Sequence, residues 1–553
     1  MTIKDLHTIT KSVQAPTNLS ELSGHTLVVD CSPWGIKSWY NDVPSFFRSD
    51  IDPECEKTHT YRTYFARLIN GIVRAGIKVI MVLDGAPLPL KAAEHVRRGK
   101  ADTRGAVMER AQAAHEKGDF AVANDEWRKL VYPAPDMVYD FVIAFCHAQP
   151  GDAVRVVVAP FEADSQCADL VDQGFADYAL TIDGDFVAYG IPRVVFAATK
   201  KKDTYHTVAL ADILDHSVGG YDFSGYSLAD FQTVAVAVGC DYVERVYGQG
   251  WPALTSLFSQ CRDAPLLGRR VSMDWGAPYD ICEGLVYEVD AQTGARVWWD
   301  DGSVQDHPAD ELTPVPWATA LTPPLLGLRA RFAAVLSHRN ARKPAEHVRA
   351  DHAFSLAAAY DAFAAPLAWR PVGDVATRAI PGGGTGKQWP SRSELSGVEL
   401  VGATALLDPD ATPTDPLPDA ATLRTVAAAA AAAEATAVAA AAVQAADASL
   451  AAAAKAAAKT AATAQAVATH AANQIAARAK FAAALVAAQF IVRASASVRI
   501  ALCAGELHPR TMQARELPDP SVLNADPALA ATREVPLLRL FFILLCDLGG
   551  AKI

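Results

Sequence analysis

The chain lacks the features that mark secreted and membrane proteins. Its nine cysteines are widely scattered with no Cys-x-x-Cys pair, which argues against a disulfide framework or a structural zinc site and favours a reducing compartment. The N-terminus, MTIKDLHTITK, has no apolar segment of the kind a secretory signal requires. The apolar run from Leu537 to Leu545 is broken by Arg539 and is far shorter than the ~20 residues of a spanning helix. We expect a soluble intracellular protein with no membrane partner.

An excess of positive charge is also missing. Fifty Lys and Arg residues stand against 62 Asp and Glu residues, so the net charge is −12. This balance excludes attraction of the whole surface to a polyanion, and any contact with nucleic acid has to be a local basic patch.

Five short apolar runs in the first 200 residues indicate the fold class. They are His25–Val29, Ile77–Leu83, Arg155–Val158, Tyr178–Ile182 and Arg193–Ala197. Continuous apolar runs of this length, separated by helical stretches, predict a mostly parallel sheet buried on both faces. The fold class is therefore α/β, and ligands of such sheets bind beyond the carboxyl ends of the strands.

The 553 residues divide into seven segments by composition and pattern. We expect an N-terminal α/β region (1–148) with a helical excursion that starts basic (91–148), an internal α/β region (149–262), an inserted antiparallel barrel (264–315), closing helices (316–370), a linker (371–420), an alanine-rich helix (421–504) and a tail (505–553).

The alanine-rich segment differs from the rest of the chain. Residues 421–490 contain 39 alanines, and neither proline nor glycine occurs from Asp419 to Ala504. Alanine has the highest helix propensity, so one long helix is predicted here. Both a partner-binding helix and a low-complexity segment without a specific role fit this composition.

Seven carboxylates stand at strand ends or in short loops. They are Asp30, Asp84, Glu162, Asp164, Asp183, Asp185 and Asp241. Each one alone is most simply a solvated loop residue or helix cap, but the predicted sheet brings all seven to one edge. Crowded carboxylates repel one another unless a cation neutralises them, and Mg²⁺ prefers such oxygen ligands. Two Mg²⁺ ions at this edge would suit hydrolysis of a phosphodiester.

These residues lie in motifs that resemble a known family. VVDCSPW, VLDGAPLPLK, APFEADSQCADL, TIDGDFVAYG and AVGCDYVERVYGQG are similar, in this order, to motifs of the flap endonuclease and exonuclease 1 family of 5′ structure-specific nucleases. The similarity covers residues 1–262 and resumes in EHVRADHAFSLAAAYD at 346–361, where exonuclease 1 is the nearer likeness.

The resemblance implies roles for particular residues. It makes the seven carboxylates ligands of two Mg²⁺ ions, and it makes Lys91 and Arg98 catalytic contacts to the scissile phosphate at the base of a helical arch. Gly248 and Gly250 match a helix-two-turn-helix that binds duplex DNA, with a K⁺ ion in the family. For the basic pair a solvated helix face is the alternative, and for the glycines it is a plain tight turn.

The chain departs from the family pattern at several positions. Thr2 replaces the usual glycine, which puts the N-terminal packing in doubt. Ile36 stands where the family has an aromatic or imidazole side chain, so base stacking would have to use Trp34, Trp39 or Tyr40 instead. In the loop before the Gly-x-Gly, larger charged residues replace small ones and weaken the case for K⁺. They are Glu244 and Arg245.

The resemblance implies a nuclear DNA-repair enzyme that cuts DNA at 5′ ends, nicks or flaps. Exonuclease and flap endonuclease activities both stay open, as does an inactive DNA-binding scaffold, although intact carboxylates speak against the last. Glu162 follows Asp84 by 78 positions, which leaves room for an arch but excludes the very long spacer of the repair endonuclease branch.

Two other motifs carry no function. PGGGTGKQ at 381–388 has Pro381 and Gln388 where a phosphate-binding loop needs glycine and Ser or Thr. Leu538, Phe541 and Phe542 resemble the apolar part of a sliding-clamp peptide, but Val535 replaces the required glutamine, so we do not expect clamp binding.

The segment 268–313 resembles Tudor-like or SH3-like barrels and is rich in aromatic residues. They are Trp275, Tyr279, Tyr287, Trp298 and Trp299. Neighbouring residues of a strand point to opposite faces, so one of the adjacent tryptophans should enter the core and the other stay at the surface. With Tyr279, Asp300 and Asp301, the surface tryptophan would form a cage for a methylated peptide. The alternative is that the aromatics only fill a small core.

Overall fold

The fold is taken from a computed structural model of the 553-residue chain. The structure describes residues 3–92, 101–197, 205–243, 249–314, 331–332, 335–336, 352–407 and 476–517, with gaps at 4, 56, 58, 133, 150, 216, 219–220, 265, 275–280, 291–293, 300–302, 478 and 516.

A seven-stranded mixed sheet forms the centre of the N-terminal half. Its strands are β1 Ala15–Thr17, β2 Thr26–Asp30, β3 Lys78–Leu83, β4 Val154–Val158, β5 Tyr178–Thr181, β6 Arg193–Ala197 and β7 Tyr205–Ala209. They lie in the order β1-β7-β6-β5-β2-β3-β4. Strands β4, β3, β2, β5 and β6 are parallel, β7 is antiparallel to β6, and β1 is antiparallel to β7. The α/β prediction and all five predicted strands are confirmed. The strand order reverses between β2 and β5, which is where such sheets open a ligand crevice.

The central strands β2 to β6 are buried on both faces because they are apolar at most positions. Val28 and Ile80 pack into one hydrophobic core, whereas their neighbours Val29 and Met81 pack into a second core on the other face. This alternation follows the period of two of a strand. Burial on both faces is why the sequence shows continuous apolar runs and no polar alternation.

Helices cover both faces of this sheet. Their bounds are α1 Leu6–Thr10, α2 Ser32–Trp39, α3 Val43–Ile51, α4 Thr60–Arg74, α5 Ala101–Glu116, α6 Phe120–Arg128, α7 Asp136–Ala148, α8 Ala163–Asp172, α9 Asp185–Ala188, α10 Leu210–Leu214, α11 Leu228–Val238, α12 Trp251–Asp263, α13 His352–Ala364, α14 Ala479–Arg493 and α15 Ala496–Cys503. Short 3₁₀ turns occur at Lys11–Val13, Leu19–Leu22, Pro89–Lys91, Ala309–Glu311 and Thr404–Leu407.

The predicted helical excursion between β3 and β4 is helical where the structure describes it. It contains α5, α6 and α7. Trp127 of α6 is fully buried, and Arg48 of α3 donates to Asn124 Oδ1 at 2.7 Å. The excursion is thereby attached to the body of the protein.

A five-stranded antiparallel sheet lies where the sequence predicts an inserted barrel. Its strands are β10 Arg270–Asp274, β11 Ile281–Asp290, β12 Gly294–Trp299, β13 Val304–His307 and β14 Thr313–Pro314, in the order β13-β12-β11-β10-β14. A separate short hairpin precedes this sheet in the chain, formed by β8 Ser217–Val218 and β9 Tyr221–Asp222. Trp299 is 2% exposed within the small core and Trp298 is 37% exposed. The opposite placement of the two tryptophans is confirmed, and closure into a barrel stays a prediction.

Residues 371–407 are folded, which corrects the prediction of a linker. They contain β16 Thr377–Ala379, β17 Thr385–Lys387 and β18 Val398–Val401, which pairs with β15 Ala368–Pro371 at the start of the segment. The glycines 382–384, all at positive φ, turn the hairpin β16–β17. The linker prediction was wrong over these residues because Gly and Pro are frequent in tight turns as well as in linkers. The buried Trp389, whose ring packs against Phe175, ties the segment to the sheet.

The helix predicted over 421–504 is not continuous in the part that the structure describes. Residues 408–475 lie outside the described residues, and α14 and α15 meet at a bend of 119°. Ser495 between them has extended backbone (φ −65°, ψ 161°) as the N-cap of α15, a position that serine favours. Among the described helices, none alone is long and apolar enough to cross a membrane, although the bent pair α14–α15 passes by length and composition.

The start of the predicted tail packs against α7. Arg515 forms an ion pair with Asp140, and His508 Nε2 lies 3.3 Å from Asp136 Oδ1. The tail beyond residue 517 and most of the closing helices, residues 316–351, lie outside the described residues apart from 331–332 and 335–336.

Candidate active site

Strands β2 and β3 deliver the first two carboxylates. Asp30 is the last residue of β2 and is 4% exposed, and its Oδ1 accepts from the backbone N–H of Ser32 at 3.0 Å. Asp84 follows β3 at the open side of the site, and the Ser32 hydroxyl donates to it. The next residue must be glycine, because a Cβ on Gly85 would lie 1.9 Å from the Ala159 carbonyl oxygen. This close backbone approach fixes where the Asp84 side chain starts.

The start of α8 delivers the next pair. Glu162 is its N-cap residue, and Asp164 lies in its first turn. The backbone N–H of Ala163 donates to Asp84 Oδ1 at 2.9 Å. The unpaired N–H groups and dipole of a helix N-terminus favour negative charge, so α8 stabilises both its own carboxylates and Asp84.

The turn between β5 and α9 delivers Asp183 and Asp185. The Asp183 backbone N–H donates to Thr181 Oγ1, and the Asp185 N–H donates to Asp183 Oδ1, both at 3.0 Å. Asp185 is 6% exposed and accepts from the backbone N–H of Ile3 at 2.6 Å. The N-terminal segment therefore reaches into the site.

Lys91 forms ion pairs with two of the carboxylates, Glu162 and Asp241. Its Nζ lies 2.5 Å from Glu162 Oε2 and 3.3 Å from Asp241 Oδ2, and the residue is 8% exposed. The family resemblance implies that Lys91 contacts a phosphate at the base of the arch, and that role stays a prediction. The structure places its ammonium group among the carboxylates themselves.

The charges of the cluster act on one another. Desolvation by burial, repulsion by Asp84 and, more weakly, by Asp183 raise the pKa of Asp30 well above its ordinary value. Burial, then repulsion by Asp30 and Asp183, does the same to the pKa of Asp164, and burial and Asp183 do so for Asp185. Carboxylates at the end of β2, after β3, in α8 and in the β5–α9 turn therefore raise one another's pKa values.

Lys91 is the counter-charge of this cluster. Burial alone lowers the pKa of a lysine, but the carboxylates of Glu162 and Asp164 outweigh it and raise the pKa of Lys91 above its ordinary value. It is therefore charged at neutral pH. One ammonium group cannot balance seven carboxyl groups, so the cluster retains a strong attraction for further cations.

The donor set fits hard divalent cations. All seven candidate ligands offer carboxylate oxygens, which Mg²⁺ prefers over nitrogen and sulfur donors. Within the described residues, no three of these side chains already converge on one metal position. That geometry is compatible with Mg²⁺, which takes one or two carboxylates and keeps several waters.

Three predicted site residues require separate comment. Arg98 and Gly248 lie outside the described residues. Gly250 is the N-cap residue of α12, with extended backbone and room for a Cβ. The DNA and K⁺ roles of the two glycines and the role of Arg98 stay predictions.

The stacking alternatives separate by exposure. Trp34 and Trp39 are buried at 3% and 2%, whereas Tyr40 is 46% exposed, with the Arg128 guanidinium 5.6 Å from its ring centroid. Of the three substitutes for Ile36, only Tyr40 has a ring that an unstacked base can reach.

Several participants in the described part of the site were not predicted from the sequence. They are the Ser32 hydroxyl, the Ile3 N–H and a buried pair formed by Tyr189 and Tyr242. Ser32 had a weak signal, because a Ser two positions after a strand-end Asp is suited to local hydrogen bonding. The other contacts join positions far apart in the chain, so the local sequence contains no signal for them.

Two family models match this chain. The XPG N-terminal domain matches residues 1–104 and the XPG I-region matches residues 153–241. Over these residues the chain is similar to the XPG family of nucleases, and the matched regions contain the motifs that resemble flap endonucleases and exonuclease 1. All seven carboxylates and Lys91 lie within the two matched regions.

The similar curated proteins are nucleases of this family. Exonuclease 1 of Danio rerio is 24% identical over 291 residues, which are 52% of this chain and 34% of that protein. Flap endonuclease 1 of Trypanosoma brucei brucei is 31% identical over 186 residues, 32% of this chain and 43% of that protein. The chain thus spans about a third of the exonuclease 1 relative. The solved structure of flap endonuclease-1 from Methanococcus jannaschii covers 45% of this chain and 74% of its own, at 23% identity and a TM-score of 0.30.

The predicted aromatic cage is only partly described. Trp298 is exposed and Tyr287 is buried at 9%. The other proposed members lie outside the described residues: Trp275, Tyr279, Asp300 and Asp301. The methylated-peptide partner stays a prediction.

Proposed function

We propose that this chain is a metal-dependent 5′ structure-specific deoxyribonuclease that acts as an exonuclease at single-strand/duplex junctions in DNA. The single observation that supports this most strongly is the cluster of seven carboxylates, drawn from both matched regions and bridged by Lys91. A scaffold that only binds DNA has no need of such a cluster, because it repels the phosphate backbone.

The carboxylates fall into two candidate metal-holding groups. Asp30, Asp84, Glu162 and Asp164 would form one group, and Asp183, Asp185 and Asp241 the other. When bound there, two Mg²⁺ ions would supply Lewis-acid stabilisation for phosphodiester hydrolysis.

The remaining residues orient these groups. The hydroxyl of Ser32 and the N–H of Ala163 hold both oxygens of Asp84, and the N–H of Ile3 holds Asp185. Lys91 carries the positive charge at the junction of the two groups, from which it offsets negative charge that develops on a phosphate. Arg98 is proposed to share this task.

The substrate is proposed to be DNA with a 5′ end, nick or flap, with the 5′ strand passing the arch at residues 91–148. Gly248 and Gly250 would hold the duplex, with a K⁺ ion bound there in addition to the two Mg²⁺. The nucleus is the compartment in which such a repair enzyme would act.

A side-by-side digestion tests the proposal. The full chain is incubated with a 5′-labelled flap and a 5′-labelled nicked duplex, with Mg²⁺ or with EDTA. We expect Mg²⁺-dependent release of mononucleotides or short products from the nicked duplex. Predominant release of the intact flap strand would instead assign flap endonuclease activity. No cleavage of either substrate, or equal cleavage in EDTA, would refute the proposal.

A further inference from the structure

Two tyrosines beside the carboxylate cluster have no role in the function proposed above. Tyr189, just after α9, and Tyr242, next to Asp241, are each 7% exposed, and their hydroxyl oxygens lie 2.5 Å apart. The Ser165 hydroxyl donates to Tyr189 at 3.4 Å. A phenol hydroxyl can donate as well as accept a hydrogen bond, so one of the two hydroxyl groups donates to the other.

The ring of Tyr242 lies against Lys91. The Lys91 Nζ is 5.4 Å from the ring centroid, within the ~6 Å over which a ring face attracts an ammonium group. A lysine side chain has a flexible stem of four carbons, and its ammonium group is a point charge whose ion pairs do not fix its position. The ring therefore supplies what the two carboxylates do not, a flat surface that limits where the ammonium group can move.

We propose that Tyr242, held by the hydroxyl of Tyr189, is a positioning residue that keeps Lys91 at the junction between Glu162 and Asp241. The inference rests on the proposed nuclease function, and it assigns neither tyrosine a contact with DNA. Tyr242 acts on the reaction only through Lys91.

Simple packing is the competing explanation. The ring of Phe363 lies 4.5 Å from that of Tyr189 and 5.4 Å from that of Tyr242. Loss of either tyrosine would thus disturb a core as well as Lys91, and a single substitution cannot separate the two effects.

A double-mutant cycle between Tyr242 and Lys91 separates them. Single-turnover cleavage at saturating protein is measured for Tyr242→Leu, Lys91→Ala and the double variant, and DNA affinity is measured with Ca²⁺ in place of Mg²⁺. We expect Tyr242→Leu to lower the rate about tenfold, equal to about 1.4 kcal/mol, with affinity unchanged. In the Lys91→Ala background the same substitution should cause no further loss, because interacting residues are not additive.

Conservative variants and a matched control complete the design. Tyr242→Phe keeps the ring and should restore most of the rate, and Tyr189→Phe, which removes the shared hydrogen bond, should lower it two- to threefold. The control is Tyr226→Leu, which removes a tyrosine that is also 7% exposed but packs against Phe223 and Phe258. It should lower the melting temperature without slowing single-turnover cleavage.

The outcomes distinguish this inference from the function it rests on. If Tyr242→Leu slows cleavage equally in both backgrounds, or Tyr226→Leu slows it as much, the tyrosines only pack. If the unmodified chain does not cut, the nuclease proposal itself fails. Should Tyr242→Leu not fold, Tyr242→Met fills a similar volume without a ring and takes its place in the cycle.

Discussion

Replacing Arg378 with Met tests whether residues 371–407 belong to the folded body. Arg378 is 8% exposed and donates two hydrogen bonds of 2.9 Å to the carboxylate of Asp177, in addition to bonds to the carbonyl oxygens of Lys387 and Phe175. Asp177 also accepts from the backbone N–H of Thr26 at the start of β2. One arginine therefore ties the β16–β17 hairpin to the central sheet.

The cost of the substitution follows from this burial. Removal of one partner of a buried ion pair leaves the other charge without compensation, which typically costs ~3–5 kcal/mol. The matched control is Arg392→Met, because Arg392 makes bonds of 2.6 and 3.0 Å to Glu506 but both side chains are about 40% exposed. An exposed pair contributes ~1 kcal/mol or less.

The ion pair between Arg378 and Asp177 also predicts that the effect of Arg378→Met on stability depends on pH. Burial alone raises the pKa of Asp177, but the bonds from Arg378 and Thr26 outweigh it and lower the pKa below its ordinary value. A carboxyl group with a lowered pKa stabilises the fold above its unfolded pKa, about 3.9, and loses that contribution as the pH falls through the folded value. The stability difference between wild type and Arg378→Met should be largest near neutral pH. It should narrow as the pH falls, because protonation of Asp177 removes the ion pair in the wild type and the uncompensated charge in the variant.

Urea unfolding followed by tryptophan fluorescence measures these differences, since Trp369 and Trp389 are buried in the same region. We expect a clear loss of stability for Arg378→Met and almost none for Arg392→Met. Equal stability of Arg378→Met and wild type at pH 7 would show that the segment does not dock on the sheet in solution.

Three further predictions concern function. Asp183→Ala or Asp185→Ala should abolish cleavage and leave DNA binding largely intact, because a lost metal ligand removes transition-state stabilisation more than ground-state contact; cutting by either variant at the wild-type rate in Mg²⁺ would contradict this. Lys91→Ala or Arg98→Ala should lower the single-turnover rate ~100-fold, whereas a purely solvated role would weaken binding in a salt-dependent way and leave that rate unchanged. Titration of the full chain with methylated and unmethylated histone-tail peptides should show tighter binding of the methylated form that is lost in Trp298→Ala; equal or absent binding would leave the inserted sheet as a structural spacer.

The sequence alone determined the α/β class, the five parallel strands and the carboxylate set. Strands buried on both faces must be apolar throughout, so they stand out in a single sequence. Because parallel strands present their carboxyl ends at one edge of a sheet, the sequence by itself predicts that Asp30, Asp84 and Asp183 lie together.

Only the tertiary structure decided which positive charge compensates those carboxylates and which later segment packs against the sheet. Lys91 is linked to Glu162 and Asp241 across 71 and 150 positions of sequence, and local pattern carries no information about contacts over such separations. The same holds for Arg378 and Asp177, whose pairing turns an apparent linker into part of the body. Propensity and periodicity reflect interactions within a few residues, whereas an ion pair between distant segments depends on where the whole chain places its backbone.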